Sequence, residues 1–221
     1  MVHGYGYLDH AESEIRAFLG RAKRVAFVPF ALFDRDAYTT RVRDRLAKIG
    51  FDVQQVRSAR DLESVEAIFV GGGNTFRLLK TLYDLDLLDA IRKSVGGGIL
   101  YMGSSAGSVI AAPTIKTTND MPIVQPPSFD ALHFVPYQIN AHYIDADPKS
   151  THMGETRETR LAEYLEENAP PVIGIREGTM LRVNDGITTV VGMRPGKIFR
   201  RGEAPLDVAV GTRLNGDLTV S

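Results

Sequence analysis

The sequence predicts an α/β protein: a mainly parallel sheet flanked by helices, with a short antiparallel extension at its C-terminal end. Two features carry that reading. Short apolar runs that end in glycine alternate with longer stretches of helical periodicity, as βαβ units require. After Ile175 the alternation stops, and strand follows strand through turn residues such as Asn184-Asp185-Gly186, the signature of a hairpin.

The elements follow in order. Glycine-rich residues 3–7 give no clear strand, and Glu12 to Leu19 reads as a helix with Ile15, Phe18 and Leu19 on one face. Arg24 to Phe30 is the first strand. Asp36 is placed to cap a helix running to Ile49, and Gly50 ends it. Phe51 to Val56 is the second strand, Asp61 to Glu66 a short helix, and Ala67 to Val70 the third strand. Two helices follow, one carrying Phe76, Leu78, Leu79 and Leu82, the other spanning Asp86 to Val95. Gly98 to Met102 is the next buried strand, and a helix of about two turns follows it up to Pro113. Thr114 to Ser128 reads as loop, Phe134 to Asn140 as a strand, Glu155 to Glu167 as a helix and Pro171 to Ile175 as a strand. The remainder, beginning with a hairpin of Met180 to Val183 and Ile187 to Val191, is expected to lie on the sheet edge.

Composition narrows the function classes. A chain of 221 residues fits a single domain, here taken as 1–221, with a sizeable core. A net charge of -1 argues against nucleic-acid binding and a polybasic membrane contact. No apolar run is long enough to span a bilayer, the first residues lack a signal-peptide pattern, and a cytoplasmic location is expected. With no cysteine, any nucleophile must be Ser, Thr, Lys or a carboxylate.

Gly103-Ser104-Ser105-Ala106-Gly107 fits the G-x-S-x-G elbow, in which a strand turns sharply into a helix and exposes the central serine. Its flanking glycines suit backbone packed too close for a Cβ. Ser105 is therefore the candidate nucleophile, with Ser104 a minor rival. In open α/β sheets ligands gather at the carboxyl ends of strands. Gly71-Gly72-Gly73-Asn74, Asn140-Ala141-His142 and Glu177 also stand at strand ends, and in a parallel sheet all converge with the elbow.

A serine hydroxyl needs a base, and the base needs an acceptor on its second ring nitrogen. Of five histidines only His142 follows a strand end. His152 is its rival, His3 and His10 lie in the unread N-terminal stretch, and His133 is expected to be half-buried. Glu177 suits the acceptor role, with Asp145 and Asp147 as alternatives. The N–H groups of Ala106 and of Gly72 or Gly73 could hold an oxyanion. The glycine turn lacks the Lys-Ser/Thr of a P-loop and the spacing of a dinucleotide fingerprint, and the histidines lack metal-ligand spacing. No cofactor and no metal are expected.

Six blocks together resemble the peptidase E (alpha-aspartyl dipeptidase) family of serine peptidases: Val70 to Phe76, Ser105-Ala106-Gly107, Pro113 to Ile123, Gln138 to His142, Gly154-Glu155-Thr156-Arg157 and Glu177-Gly178. The resemblance implies a fold like that of class I glutamine amidotransferases and hydrolysis of Asp-Xaa dipeptides through an acyl-enzyme, without a metal. Carried onto this chain, Ser105 is the nucleophile, His142 the base, Glu177 the orienting acid, and Gly73 and Ala106 the oxyanion donors. The order Ser, His, acid differs from the Ser, acid, His order of α/β-hydrolases. A guanidinium suits the substrate's aspartate side chain, and Arg157 is the choice ahead of Lys116, Arg160 and Arg176. Asp120 or Glu155 would accept the free amino group, and Asn74 joins the substrate-binding set. The expected partner is a small peptide substrate, with no nucleic acid and no membrane; a homodimer is left open. The alternatives are a cyanophycinase-like exopeptidase and a non-catalytic binding module on the same fold.

Overall fold

Two uninterrupted apolar runs set the first sheet. In the computed structural model, which describes residues 3–147, 149, 151 and 153–221, Val25 to Val28 and Ala67 to Val70 are buried at every position. Strands covered on both faces lose the in-out alternation and read as continuous hydrophobic runs. The contacts divide the chain into two compact units, Met1–Ile115 with Asp120–Phe134, and Lys116–Asn119 with Val135–Ser221.

The first unit holds α1 (Glu12–Leu19), β1 (Arg24–Val28), α2 (Arg35–Ala47), β2 (Asp52–Gln55), β3 (Ala67–Val70), α3 (Thr75–Asp84), α4 (Leu87–Gly96), β4 (Leu100–Gly103) and α5 (Ala106–Val109). Its sheet runs β2-β1-β3-β4 with every pair parallel, Phe27 opposite Phe69 and Phe69 opposite Met102. Phe27 and Phe69 pack ring on ring at 5.2 Å, and Tyr38 of α2 meets Phe27 edge-on at 5.0 Å. Leu78, Leu79 and Leu82 of α3 and Leu87, Leu88 and Ile91 of α4 are buried, the stripe expected of helices laid on a sheet.

Several boundaries differ from the sequence-based expectation, among them the strand expected over Phe134 to Asn140, which is Gln138–Ala141, and three in the first unit have a visible cause. Asp34, not Asp36, caps α2, because the Asp34 carboxylate reaches the Ala37 N–H at 2.9 Å. The expected helix over 61–66 is a single 3-10 turn, Ala59–Leu62, closed by the Asp61 carboxylate folding back onto the N–H groups of Arg57 and Ser58, both at 2.8 Å. The helix after the elbow is one turn, not two. The carbonyls of Ile110, Ala111 and Ala112 are taken by the N–H groups of Leu132, Phe134 and His133, so the returning chain ends the helix before Pro113 does.

The second unit holds β5 (Gln138–Ala141), α6 (Arg157–Glu167), β6 (Val172–Ile175), β7 (Thr179–Asn184), β8 (Ile187–Gly192), β9 (Gly196–Phe199), β10 (Leu206–Val208) and β11 (Arg213–Leu214). One sheet runs β10-β9-β6-β5, parallel between β5 and β6 and antiparallel elsewhere; a second runs β11-β8-β7, all antiparallel. The tail therefore does more than line an edge: β9 lies inside its sheet, between β6 and β10. The β7–β8 turn has Asp185 at φ 48° and Gly186 at φ 75°, the two positive values that a tight hairpin turn needs. Helix α6 starts later than Glu155 because Thr156 caps it, its hydroxyl accepting the Thr159 N–H at 3.1 Å. Tyr143, Leu161, Leu165, Val172 and Phe199 form the core beneath it.

Phe69, 1 % exposed on the central strand β3, is the best probe of the first core. Phe69→Ala is expected to lower unfolding stability by about 3–5 kcal/mol in a denaturant titration.

Candidate active site

At the end of β4 the chain turns through Ser104 and Ser105 into α5. Ser105 is held at φ 51°, ψ −110°, a conformation that costs an L-residue free energy and persists only where its surroundings impose it. Those surroundings are backbone. A Cβ on Gly107 would strike the Val70 carbonyl, and one on Gly103 would strike the Gly107 carbonyl. The Tyr101 hydroxyl donates to the Gly107 carbonyl at 2.5 Å, and the Ser108 hydroxyl donates to the Gly103 carbonyl at 3.0 Å. Burial pushes the Tyr101 phenol far above its ordinary value, so it stays a neutral donor.

Beyond β3, the Gly71-Gly72-Gly73 turn lies against this elbow: a Cβ on Gly72 would sit 2.9 Å from the Ser105 Cβ. Gly73 has φ 138°, and a Cβ there would fall 2.5 Å from the Ala31 carbonyl oxygen. The Gly72 N–H is already donated to the Tyr38 hydroxyl at 2.8 Å, and Tyr7 stands 3.3 Å behind that hydroxyl. The N–H groups of Gly73 and Ala106 have no acceptor among the described residues. Of the two glycines weighed as oxyanion donors, Gly73 is thus the one with its amide uncommitted.

Asn74 and Asp120 meet at the start of α3. The Asn74 side chain caps the helix through the Arg77 N–H at 3.0 Å and donates to the Met121 carbonyl at 2.9 Å. Asp120 accepts from the Thr75 N–H at 2.7 Å and from its hydroxyl at 2.6 Å. Both therefore satisfy donors and acceptors at a helix end and fasten residues 120–121 to it.

In the second unit the parallel register sets Ala141 opposite Ile175, so the residues just past β5 and β6 come together. His142 Nδ1 lies 2.5 Å from Glu177 Oε1. Partial burial pushes the Glu177 carboxyl up, but the hydrogen bond and charge of His142 oppose it and the carboxyl ends below its ordinary value. His142 itself has φ 56°. The alternative acids are engaged elsewhere: Asp145 with Arg176 at 2.7 Å, and Asp147 with the Lys149 N–H at 2.9 Å. His133 is exposed rather than half-buried and pairs with Asp130 at 2.6 Å; His152 lies outside the described residues.

Arg157 is the first residue of α6. Its neighbouring carboxylates turn to other cations, Glu155 to Arg160 at 3.4 Å and Glu158 to Lys197 at 3.5 Å. Partial burial and the nearby Arg160 lower its guanidinium, and no carboxylate pairs with it among the described residues. The other basic candidates are occupied: Lys116 donates to Asn168 at 2.8 Å, and Arg176 is held by Asp145 and Asp207. Sequence reasoning did not single out Tyr38 in the first unit or Arg176 in the second for the contacts they make, with partners 34 and 31 positions away. Among the described residues no cluster of His, Asp and Glu is arranged to hold a metal ion, and no helix is long and apolar enough to cross a membrane.

A serine imposed on a strand–helix elbow, uncommitted amides beside it, and a histidine hydrogen-bonded to a carboxylate are the parts of a serine hydrolase. The model of peptidase family S51 matches residues 1–191, and the chain belongs to that family. It is 54 % identical to the peptidase E of Streptomyces coelicolor over 99 % of this chain and 91 % of that protein. It is 48 % identical to a probable alpha-aspartyl dipeptidase of Drosophila melanogaster, over 90 % of this chain and 86 % of that one. A crystal structure of a peptidase from an acI-B1 actinobacterium matches with a TM-score of 0.67 at 17 % identity, covering 94 % of this chain and 91 % of the other, and shares the fold.

The Arg176 hydrogen bond is the first reason the Asp145 carboxyl sits at about 2 rather than its ordinary 3.8. A depressed carboxyl contributes stability that is complete above its unfolded value and is lost as pH falls through the folded one. Acid titration of the fold should therefore show a decline between those two values that is smaller in Asp145→Asn. The effect is modest, because the carboxylate is half exposed.

Proposed function

We propose that this chain is a serine dipeptidase that hydrolyses Asp-Xaa dipeptides through an acyl-enzyme on Ser105. The observation that carries the reading is the strained Ser105 lying against a glycine turn, with the Gly73 and Ala106 amides uncommitted among the described residues. Those amides would receive the negative charge that forms on the carbonyl oxygen when the serine adds. The family model covers the first unit and reaches into the second as far as residue 191, which supports their acting as one peptidase domain.

In this scheme His142 donates its Nδ1–H to Glu177, which selects the tautomer whose Nε2 takes the serine proton. The serine oxygen bonds to the aspartyl carbonyl carbon, and the carbonyl electrons move onto the oxygen. Collapse of that adduct breaks the C–N bond, and the imidazolium returns its proton to the departing amine. Water then attacks the ester, losing a proton to His142; collapse of the second adduct breaks the C–O bond to Ser105, whose oxygen takes that proton back, and frees aspartate. Arg157 supplies the cation for the substrate's side-chain carboxylate, a role supported by the engagement of Lys116, Arg160 and Arg176 elsewhere. The substrate class follows from the names of the relatives, peptidase E and alpha-aspartyl dipeptidase.

Ser105→Ala is expected to lower hydrolysis of Asp-Leu by about 10⁴-fold or more while cooperative melting is kept. Undiminished turnover in that variant would remove Ser105 from the mechanism. Tyr38→Phe frees the Gly72 N–H and loosens the turn that presents Gly73; kcat should fall by about tenfold with KM little changed.

A further inference from the structure

Each residue assigned a role in the second unit has a sequence neighbour in one ion network. Arg176 precedes Glu177, Tyr143 and Asp145 follow His142, and Glu158 follows Arg157. We propose that this network, Arg176–Asp145–Lys197–Glu158 built around the ring of Tyr143, positions His142, Glu177 and Arg157 as one body, with Arg176 the positioning residue for the His142–Glu177 pair. The proposal rests on the peptidase reading above for what the three residues do, and on geometry alone for what holds them.

The cations form the interior of the network and the carboxylates its rim. Arg176 and Lys197 side chains are 9 % and 15 % exposed, whereas Asp145 and Asp207 are half exposed. The Arg176 guanidinium grips Asp145 with two nitrogens, Nε and NH2, each at 2.7 Å. That fork fixes direction as well as distance, which a lysine cannot do. It also reaches Asp207 at 2.7 Å and the Pro195 carbonyl at 2.9 Å, tying the end of β6 to β10 and to the start of β9. Lys197 bridges Asp145 at 3.4 Å and Glu158 at 3.5 Å, carrying the connection to the first turn of α6.

Tyr143 is the floor. Its ring lies so close to Gly174 of β6 that a Cβ there would sit 2.8 Å from it, and both cations stack over the ring, Arg176 at 5.4 Å and Lys197 at 5.8 Å. Its N–H donates to the Ile175 carbonyl at 3.0 Å. His142 is thus clamped on its C-terminal side by Tyr143 and Asp145, both joined to the strand that leads into Glu177. Such a clamp is what a histidine at φ 56° requires, since a strained backbone relaxes when its surroundings allow. Sub-ångström fit between base and acid matters to rate, because a displacement of about 1 Å can cost on the order of 100-fold.

The test compares the wild-type chain with Arg176→Lys, Asp145→Asn and Lys197→Met. It reads kcat and KM on Asp-Leu, thermal melting, and the NMR resonance of the His142 Nδ1 proton hydrogen-bonded to Glu177. Arg176→Lys and Asp145→Asn should lower kcat by about 10- to 100-fold with KM nearly constant, and should shift or broaden that resonance. Lys197→Met should instead raise KM by about tenfold, through α6 and Arg157. Folded Arg176→Lys or Asp145→Asn protein with wild-type kcat and an unmoved resonance overturns the proposal. If Arg176→Lys does not fold, Asp145→Asn, an isosteric change at a half-exposed rim carboxylate, decides. Failure of both to fold also overturns it, because the network would then support the whole unit rather than position three side chains. A wild-type chain inert on Asp-Leu refutes the peptidase reading, while the resonance still decides whether Arg176 positions the His142–Glu177 pair.

Discussion

The methylene of Gly107 packs on the carbonyl of Val70, and the first unit is arranged to permit that contact. It draws the one-turn helix α5 onto the end of β3, which forces the preceding residue into a backbone conformation that few side chains adopt. It also sets the glycine turn after β3 beside Ser105. Strands β1 and β3, buried from Val25 to Val28 and from Ala67 to Val70, give this arrangement a base that does not yield. In the proposed reaction that rigidity is the point: donors aimed in advance at developing charge need not reorganise when it appears.

The second unit reaches similar order by other means. At its strand ends the backbone is held less by close packing than by charge, with two largely covered cations each shared between acidic partners. Removing one member of such a set leaves like charges facing each other, which is costlier than never having had the set. The Thr117-Thr118-Asn119 part of the family block belongs to this unit. The Thr117 hydroxyl donates to the Ile139 carbonyl at 3.0 Å, and the Asn119 amide donates to the Ala141 carbonyl at 2.6 Å, just before His142. Asp120 and Met121, the next two residues, serve α3 in the first unit. One short motif thus divides its work between the two units.

Much of this was legible in the sequence because the signals are local. Buried strands announce themselves as apolar runs, the elbow as glycines at fixed offsets, and the β7–β8 hairpin as Asn184-Asp185-Gly186. Boundaries were less legible where neighbouring residues compete for one task. Asp34 and Asp36 can each cap a helix, and only the reach of a carboxylate to Ala37 separates them. Asn74 and Asp120 read as groups for a substrate, and their contacts at the start of α3 were not legible beside that reading, since a polar side chain at a helix end serves backbone and ligand with the same atoms. Tyr38 and Arg176 were beyond reach in their actual parts. A phenol that takes the N–H of a distant glycine leaves no periodic trace, and neither does a guanidinium that locks two strand ends.

Ser105 and His142 share one further property: each is a non-glycine residue at a positive φ, 51° and 56°. Glycine would adopt either conformation without that steric cost. A library of this chain selected for heat resistance alone would therefore tend to accumulate glycine at these two positions and erase the chemistry proposed for them. Durability and turnover pull the same two codons in opposite directions.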